Sequence, residues 1–117
     1  MPIKHFFAGF PVADLGPALA WYERLLGRPA DSAPNENEAV WHVADGASIY
    51  VVADGDRAGN ALLTLIVDGL EDHVGELARR GLLAGTIETV PGLDRKVVIS
   101  DPDGTVIQLG EAPSAPA

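Results

Sequence analysis

The sequence predicts an α+β domain made of two tandem copies of one unit, each a strand, a helix and about three further strands. Three observations carry that expectation. Short runs rich in Phe, Val and Ile alternate with the period of a strand, two segments switch to the period of a helix, and the second half repeats the first at a near-constant offset.

Ile3 to Val12 reads as the first strand, with Phe6, Ala8 and Phe10 on one face and His5, Phe7 and Gly9 on the other. From Asp14 the period changes, because Leu15, Leu19, Tyr22 and Leu26 follow one another at spacings of 4, 3 and 4. Asp14 is the expected N-cap, Pro17 falls in the first turn, and Gly27 with Pro29 ends the helix. The order recurs with Leu62 to Val67 as strand, Asp68 as cap, and Leu70, Val74 and Leu77 as the helical stripe before Gly81. An offset of 55 carries Leu15, Leu19 and Tyr22 onto Leu70, Val74 and Leu77.

After each helix comes a hairpin. Ala39 to Ala44 leads through Asp45-Gly46 into Ala47 to Ala53, and Lys96 to Ser100 leads through Asp101-Pro102-Asp103-Gly104 into Thr105 to Leu109, at an offset of 58. The polar segments Arg28 to Glu38 and Asp54 to Asn60 read as loops. One domain is expected over residues 1–110, with one module at 1–55 and the other at 60–110, followed by a flexible tail at 111–117 that lacks large apolar side chains.

Composition narrows the chemistry. The 117 residues carry 8 Lys plus Arg against 17 Asp plus Glu, a net charge of −9, with 47% apolar residues and no cysteine. Disulfides, thiolate zinc sites, iron–sulfur clusters and cysteine nucleophiles are thereby excluded. The acidic balance opposes phosphate backbones and anionic lipid, so neither nucleic acid nor membrane is an expected partner. Phe6 to Val12 is interrupted and far short of the ~20 apolar residues of a spanning helix. Met1 to Leu15 lacks the order of a secretory signal, so a cytoplasmic protein is expected.

Val12-Ala13-Asp14-Leu15, then Ala20-Trp21-Tyr22-Glu23-Arg24-Leu25-Leu26-Gly27, and finally Asp101-Pro102-Asp103-Gly104-Thr105-Val106-Ile107-Gln108-Leu109, stand at matching places in a duplicated frame. This pattern resembles the vicinal oxygen chelate superfamily, which contains glyoxalase I, bleomycin-resistance proteins and extradiol dioxygenases, and the likeness covers nearly all of Ile3 to Gly110. It implies two paired βαβββ modules of the glyoxalase/bleomycin-resistance type, forming a curved sheet around a central cavity. Metal-using members place His or Gln on the first strand of a module and Glu on its last. The resemblance puts those positions at Phe7, Tyr50, Leu62 and Gln108, which together offer one amide and one neutral phenol. No cofactor is therefore predicted; were a divalent ion held, His5 and Gln108 would be its donors at a displaced site.

Strand parity collects Phe7, Trp41, Tyr50, Val52, Leu62, Thr64, Ile66 and Gln108 on the inner face. His42 is expected to point away from it and His73 to face solvent. An aromatic, largely uncharged wall suits a planar or apolar small molecule stacked on Phe7, Trp41 and Tyr50, lined by Leu62, and oriented by the Tyr50 hydroxyl, Thr64 and Gln108. The alternative use of the same side chains is as core, with the cavity filled. Pro91 to Arg95 precedes the penultimate strand, where the resemblance implies a loop bordering the cavity mouth; Arg95 reads as an ordinary surface charge, with orientation of an anionic ligand as the alternative. The leading expectation is a metal-independent small-molecule binding protein of the bleomycin-resistance type, acting as a homodimer. The alternatives are a lyase, isomerase or oxygenase with an atypical or absent metal site, and a non-catalytic interaction domain.

Overall fold

The computed structural model describes residues 2–89 and 95–111. The elements run β1 (Phe6–Val12), α1 (Leu15–Leu26), β2 (Ser32–Asn35), β3 (Glu38–Ala44), β4 (Ala47–Ala53), β5 (Leu62–Ile66), α2 (Leu70–Arg79), β6 (Lys96–Ser100) and β7 (Val106–Gly110). They form two sheets of order β1-β4-β3-β2 and β5-β7-β6, so the strands of one chain do not join into a single curved sheet.

The duplication holds down to the pairing of individual residues. Phe7 lies beside Ser48 in the parallel β1–β4 pair as Leu62 lies beside Val106 in β5–β7, and Trp41 faces Ile49 as Ile99 faces Ile107. The helices start at Leu15 and Leu70, one offset of 55 apart. The first module departs from expectation at β2, where Ser32-Ala33-Pro34-Asn35, read as loop, pairs antiparallel with β3. This edge strand is exposed throughout, so it carries no hydrophobic alternation, and its proline is tolerated because one side of an edge strand needs no ladder donor. The second module has in its place a single bridge between Glu88 and Lys96 among the described residues. Residues 90–94 and 112–117, which include the Pro91 to Asp94 loop and most of the expected tail, lie outside the described residues.

Helix α1 buries Ala18, Trp21, Tyr22 and Leu25, with Leu15, Leu19 and Leu26 of the expected stripe partly buried beside them. Helix α2 buries Leu70 and Leu77. Its start differs from expectation. Gly69, in the left-handed region at φ 72°, is the N-cap in place of Asp68, and the Leu70 N–H donates instead to Glu111 Oε1 at 2.9 Å. Glu111, the first residue of the expected tail, also accepts from Arg95 Nη2 at 2.9 Å.

Both modules feed one core, in which Phe10, Val12, Ile49, Val51 and Trp41 of the first sheet join Val97, Ile99, Ile107 and Leu109 of the second, with both helices. Polar contacts clasp the halves. Tyr22 Oη donates to Asp101 Oδ2 at 2.9 Å, the Ala13 N–H donates to Asp103 Oδ2 at 3.2 Å, and Arg80 Nε donates to the Arg24 carbonyl at 2.6 Å at the C-terminal end of α1. Asp101 Oδ1 meanwhile accepts from the N–H groups of Asp103 (2.9 Å) and Thr105 (2.8 Å), which fixes the β6–β7 turn.

Burial, the Asp101 hydrogen bond and the charges of Asp101 and Asp103 push the Tyr22 pKa well above the ordinary phenol value. A raised folded-state pKa means that the contribution of Tyr22 is complete below about pH 10, where the unfolded chain begins to ionise, and is lost as pH rises beyond it. Tyr22→Phe is expected to cost about 1–2 kcal/mol near pH 7, because Asp101 Oδ2 keeps its burial and loses its donor. The variant should also lose less stability than the parent on going from about pH 9 to about pH 11. Denaturant midpoints at the two pH values check this, and parallel losses would assign the alkaline sensitivity to other groups.

Candidate functional site

A sheet has two faces, and the helices and core cover only one face of each sheet here. On the open face of the first sheet stand Phe7, Gly9, Tyr50 and Val52, and on that of the second Leu62, Thr64, Ile66 and Gln108. Phe7 is 56% exposed, Leu62 66% and Ile66 55%, a large exposure for apolar side chains of this size. Gly9 sits directly beside Tyr50 in the ladder, and the phenol ring lies across it, so that a Cβ at residue 9 would fall 2.5 Å from the Tyr50 Cζ. Glycine at this position lets the ring lie flat on the strand. In the second sheet Thr64, Gln108 and Val98 form one row across the three strands.

The β3–β4 hairpin changes one expected member of this surface. A two-residue Asp45-Gly46 turn with unbroken pairing would set Trp41 against Tyr50, but the register shifts between His42 and Ala44, leaving Trp41 against Ile49 and His42 against Ser48. One extra residue in a strand reverses the facing of all that precede it. Trp41 is therefore wholly buried, with its ring 6.4 Å from Tyr22 and its Nε1 donating to the Arg28 carbonyl at 3.0 Å. It belongs to the core and not to the open face. His42, expected to point away, stands on the open face, where Nδ1 is 2.6 Å from Ser48 Oγ. His5 Nε2 approaches the same oxygen at 2.8 Å, and the His5 ring packs on Phe7 with centroids 4.7 Å apart.

The backbone of His42 is held as well. Its N–H donates to Asp31 Oδ2 at 2.7 Å and its carbonyl accepts from Arg28. The Arg28 guanidinium, helped by this N–H, holds the Asp31 carboxyl below the usual carboxylate range. His42 was the member of this surface that strand parity alone missed, whereas Gly9 and Ser48 share the parity of Phe7 and Tyr50. The offset of 58 held the signal for His42, since it carries Asp101-Pro102 onto Val43-Ala44, and a proline there implies a longer turn in both hairpins.

Of the residues expected to line a cavity, Phe7 and Tyr50 share one sheet while Leu62, Thr64 and Gln108 share the other. Five pockets of about 160 to about 400 Å³ lie on the described surface, and none of those five is lined by Phe7, Tyr50, Leu62 or Gln108. His5, just before β1, and Gln108, on β7, the donors of the displaced metal site, belong to different modules. The quartet Phe7, Tyr50, Leu62 and Gln108 does not fit a divalent ion, since two members have no donor atom and the others offer a neutral phenol and an amide. Arg95, read as an ordinary surface charge with an anionic ligand as the alternative, is paired with Glu71 and Glu111. His73 is exposed on α2, as expected.

A solved glyoxalase/bleomycin resistance protein from Catenulispora acidiphila is 44% identical to this chain, covering 93% of it and 98% of its own length, with a TM-score of 0.86. TnmS3, an antibiotic binding protein from Streptomyces sp., is 26% identical over 96% of this chain and 98% of its own, with a TM-score of 0.78. A bleomycin-binding protein solved in complex with bleomycin shares the fold at 19% identity and a TM-score of 0.74, over 92% of this chain and 97% of its own. No protein-family model matches the chain, and no curated protein does.

Two outcomes follow from this geometry. Gly9→Ala should fold with stability within about 1 kcal/mol of the parent, because the clash is with the far end of a side chain that can swing away. A crystal structure of the variant should show the Tyr50 ring lifted from β1, and an unmoved ring would refute the role of Gly9. Trp41→Ala should lose about 3–5 kcal/mol in a denaturant titration, the cost of emptying a core site; a near-neutral effect would return Trp41 to the surface.

Proposed function

Because the chain belongs to the glyoxalase/bleomycin resistance protein family, we propose that it is a small-molecule binding protein of the bleomycin-resistance type, which sequesters a planar apolar ligand without a metal and without transforming it. The observation that carries this reading is the pair of open faces. Phe7 and Tyr50 on one sheet, and Leu62 and Ile66 on the other, offer stacking and apolar contact. Thr64, Gln108 and the Tyr50 hydroxyl add a few neutral hydrogen-bonding groups that orient a ligand without ionising it. The antibiotic-binding and bleomycin-binding proteins of the same fold support it.

The binding unit in this proposal is a homodimer. Within one chain the two faces line no common pocket of the five described, and each leaves large apolar side chains in water. A two-fold arrangement that sets the first sheet of one copy against the second sheet of the other covers both faces twice and creates two equivalent cavities. A cytoplasmic location belongs to the same proposal, supported by a cysteine-free chain that needs no oxidising compartment to fold. Among the described residues, no helix is long and apolar enough to cross a membrane.

Two measurements test the proposal. In sedimentation equilibrium the parent should be a dimer, and a Leu62→Lys/Ile66→Lys double variant a folded monomer; a monomeric parent would remove the closed cavity. In calorimetric titration with a panel of planar aromatic antibiotics, at least one member should bind equally well with and without EDTA. That binding should be lost in Phe7→Ala/Tyr50→Ala. Binding that disappears with EDTA, or conversion of the bound compound seen by mass spectrometry, would overturn the metal-free binding role.

A further inference from the structure

We propose that His5 and His42 form a binding site for a borderline divalent cation, of the Zn²⁺ or Ni²⁺ class, at the rim of the first sheet's open face and apart from the positions that metal-using relatives employ. The chain has three histidines, and two of them, 37 positions apart in sequence, come together here. His5 Nε2 and His42 Nδ1 both lie within 2.8 Å of one point, the Ser48 hydroxyl oxygen. Their rings meet edge to face with centroids 6.1 Å apart.

The chemistry of that hydroxyl makes the arrangement informative. Ser48 is 1% exposed, lies on β4 between the two rings, and has one hydrogen to give. With neutral imidazoles it can donate to one ring only, so one ring directs a nitrogen lone pair at the oxygen while the other directs its N–H there. Neutral imidazole is the state that binds Zn²⁺ and Ni²⁺. Both histidines are exposed whereas Ser48 is not, so an ion arriving from solvent meets the two rings first and finds the hydroxyl as a fixed polar floor. One ring need only turn from the hydroxyl to the ion, while the other also moves its ring proton to its second nitrogen.

The supports of the pair are already in place. His42 is anchored through its backbone to Asp31 and Arg28, and His5 is packed on Phe7. Asp31 and Arg28 form an ion pair, so the anchor of His42 adds no net charge, and the chain's charge of −9 favours cations in general. Two imidazoles and a hydroxyl leave the remaining coordination positions to water or to an exogenous ligand, which makes this an open site and not a closed structural one.

Calorimetric titration of the untagged full chain with ZnCl₂ and with NiCl₂ tests the inference. One ion per chain is expected. His5→Gln and His42→Gln should each weaken binding by more than about tenfold, and His73→Gln should leave it unchanged. Absence of binding by the parent up to about 1 mM metal would overturn the site, and so would binding undiminished in the His5→Gln/His42→Gln double variant. Should a variant fail to fold, paramagnetic Ni²⁺ added to the parent answers the same question. The imidazole resonances of His5 and His42 should broaden before that of His73, and the reverse order would refute the proposal.

Discussion

Tyr22 reaches from α1 of the first module to Asp101 in the last turn of the second, and this buried hydrogen bond sets how the two halves sit. Asp101 holds its own turn with one carboxylate oxygen and Tyr22 with the other, so the geometry of the β6–β7 hairpin and the placement of α1 are one constraint. A carboxylate in that position must be fully served, since an unsatisfied buried charge would cost more than the contact contributes. The internal repeat has no second copy of this bond, because the counterparts of Tyr22 and Asp101 are Leu77 and Val43. The pseudo-symmetry is thus fastened from one side, by a phenol and a carboxylate, and from the other by Arg80 on the end of α1.

Fastened in this way, the modules put their helices and one face of each sheet into a shared core and leave the opposite faces outward. The apolar side chains there are not an oversight of packing. Phe7 on one face and Leu62 and Ile66 on the other are more than half exposed, and the ladder places Tyr50 and Gln108 at equivalent points of the two faces, each next to a small or short-chained neighbour, Gly9 and Thr64. In the proposed dimer, covering by a second copy and covering by a ligand are compatible, because the first would create the cavity that the second would fill.

Much of this was legible in residue order. Periodicity marked both helices and six of the seven strands, the offsets of 55 and 58 matched residues that do prove equivalent in the ladders, and parity placed Phe7, Tyr50, Leu62, Thr64 and Gln108 on open faces. The exception among strands was β2, held by pairing to β3 and not by any apolar pattern of its own. Trp41 and His42 exchanged faces for a different reason. A bulge is a one-residue event, invisible to a pattern of period two, yet it inverts every side chain on the far side of it.

The sequence by itself determined the α+β class, the duplication and the absence of thiol chemistry, because each follows from composition or from the spacing of neighbours along the chain. Tertiary structure alone decided the rest. It buried Trp41 against Tyr22, gathered His5, His42 and Ser48 at one point, tied up Arg95 with Glu71 and Glu111, and divided the expected cavity lining between two sheets. Each of these joins residues far apart in the chain through a register, a bulge or a module interface. Local spacing specifies which way a side chain leaves its strand, whereas what it then meets depends on how separately formed elements pack together.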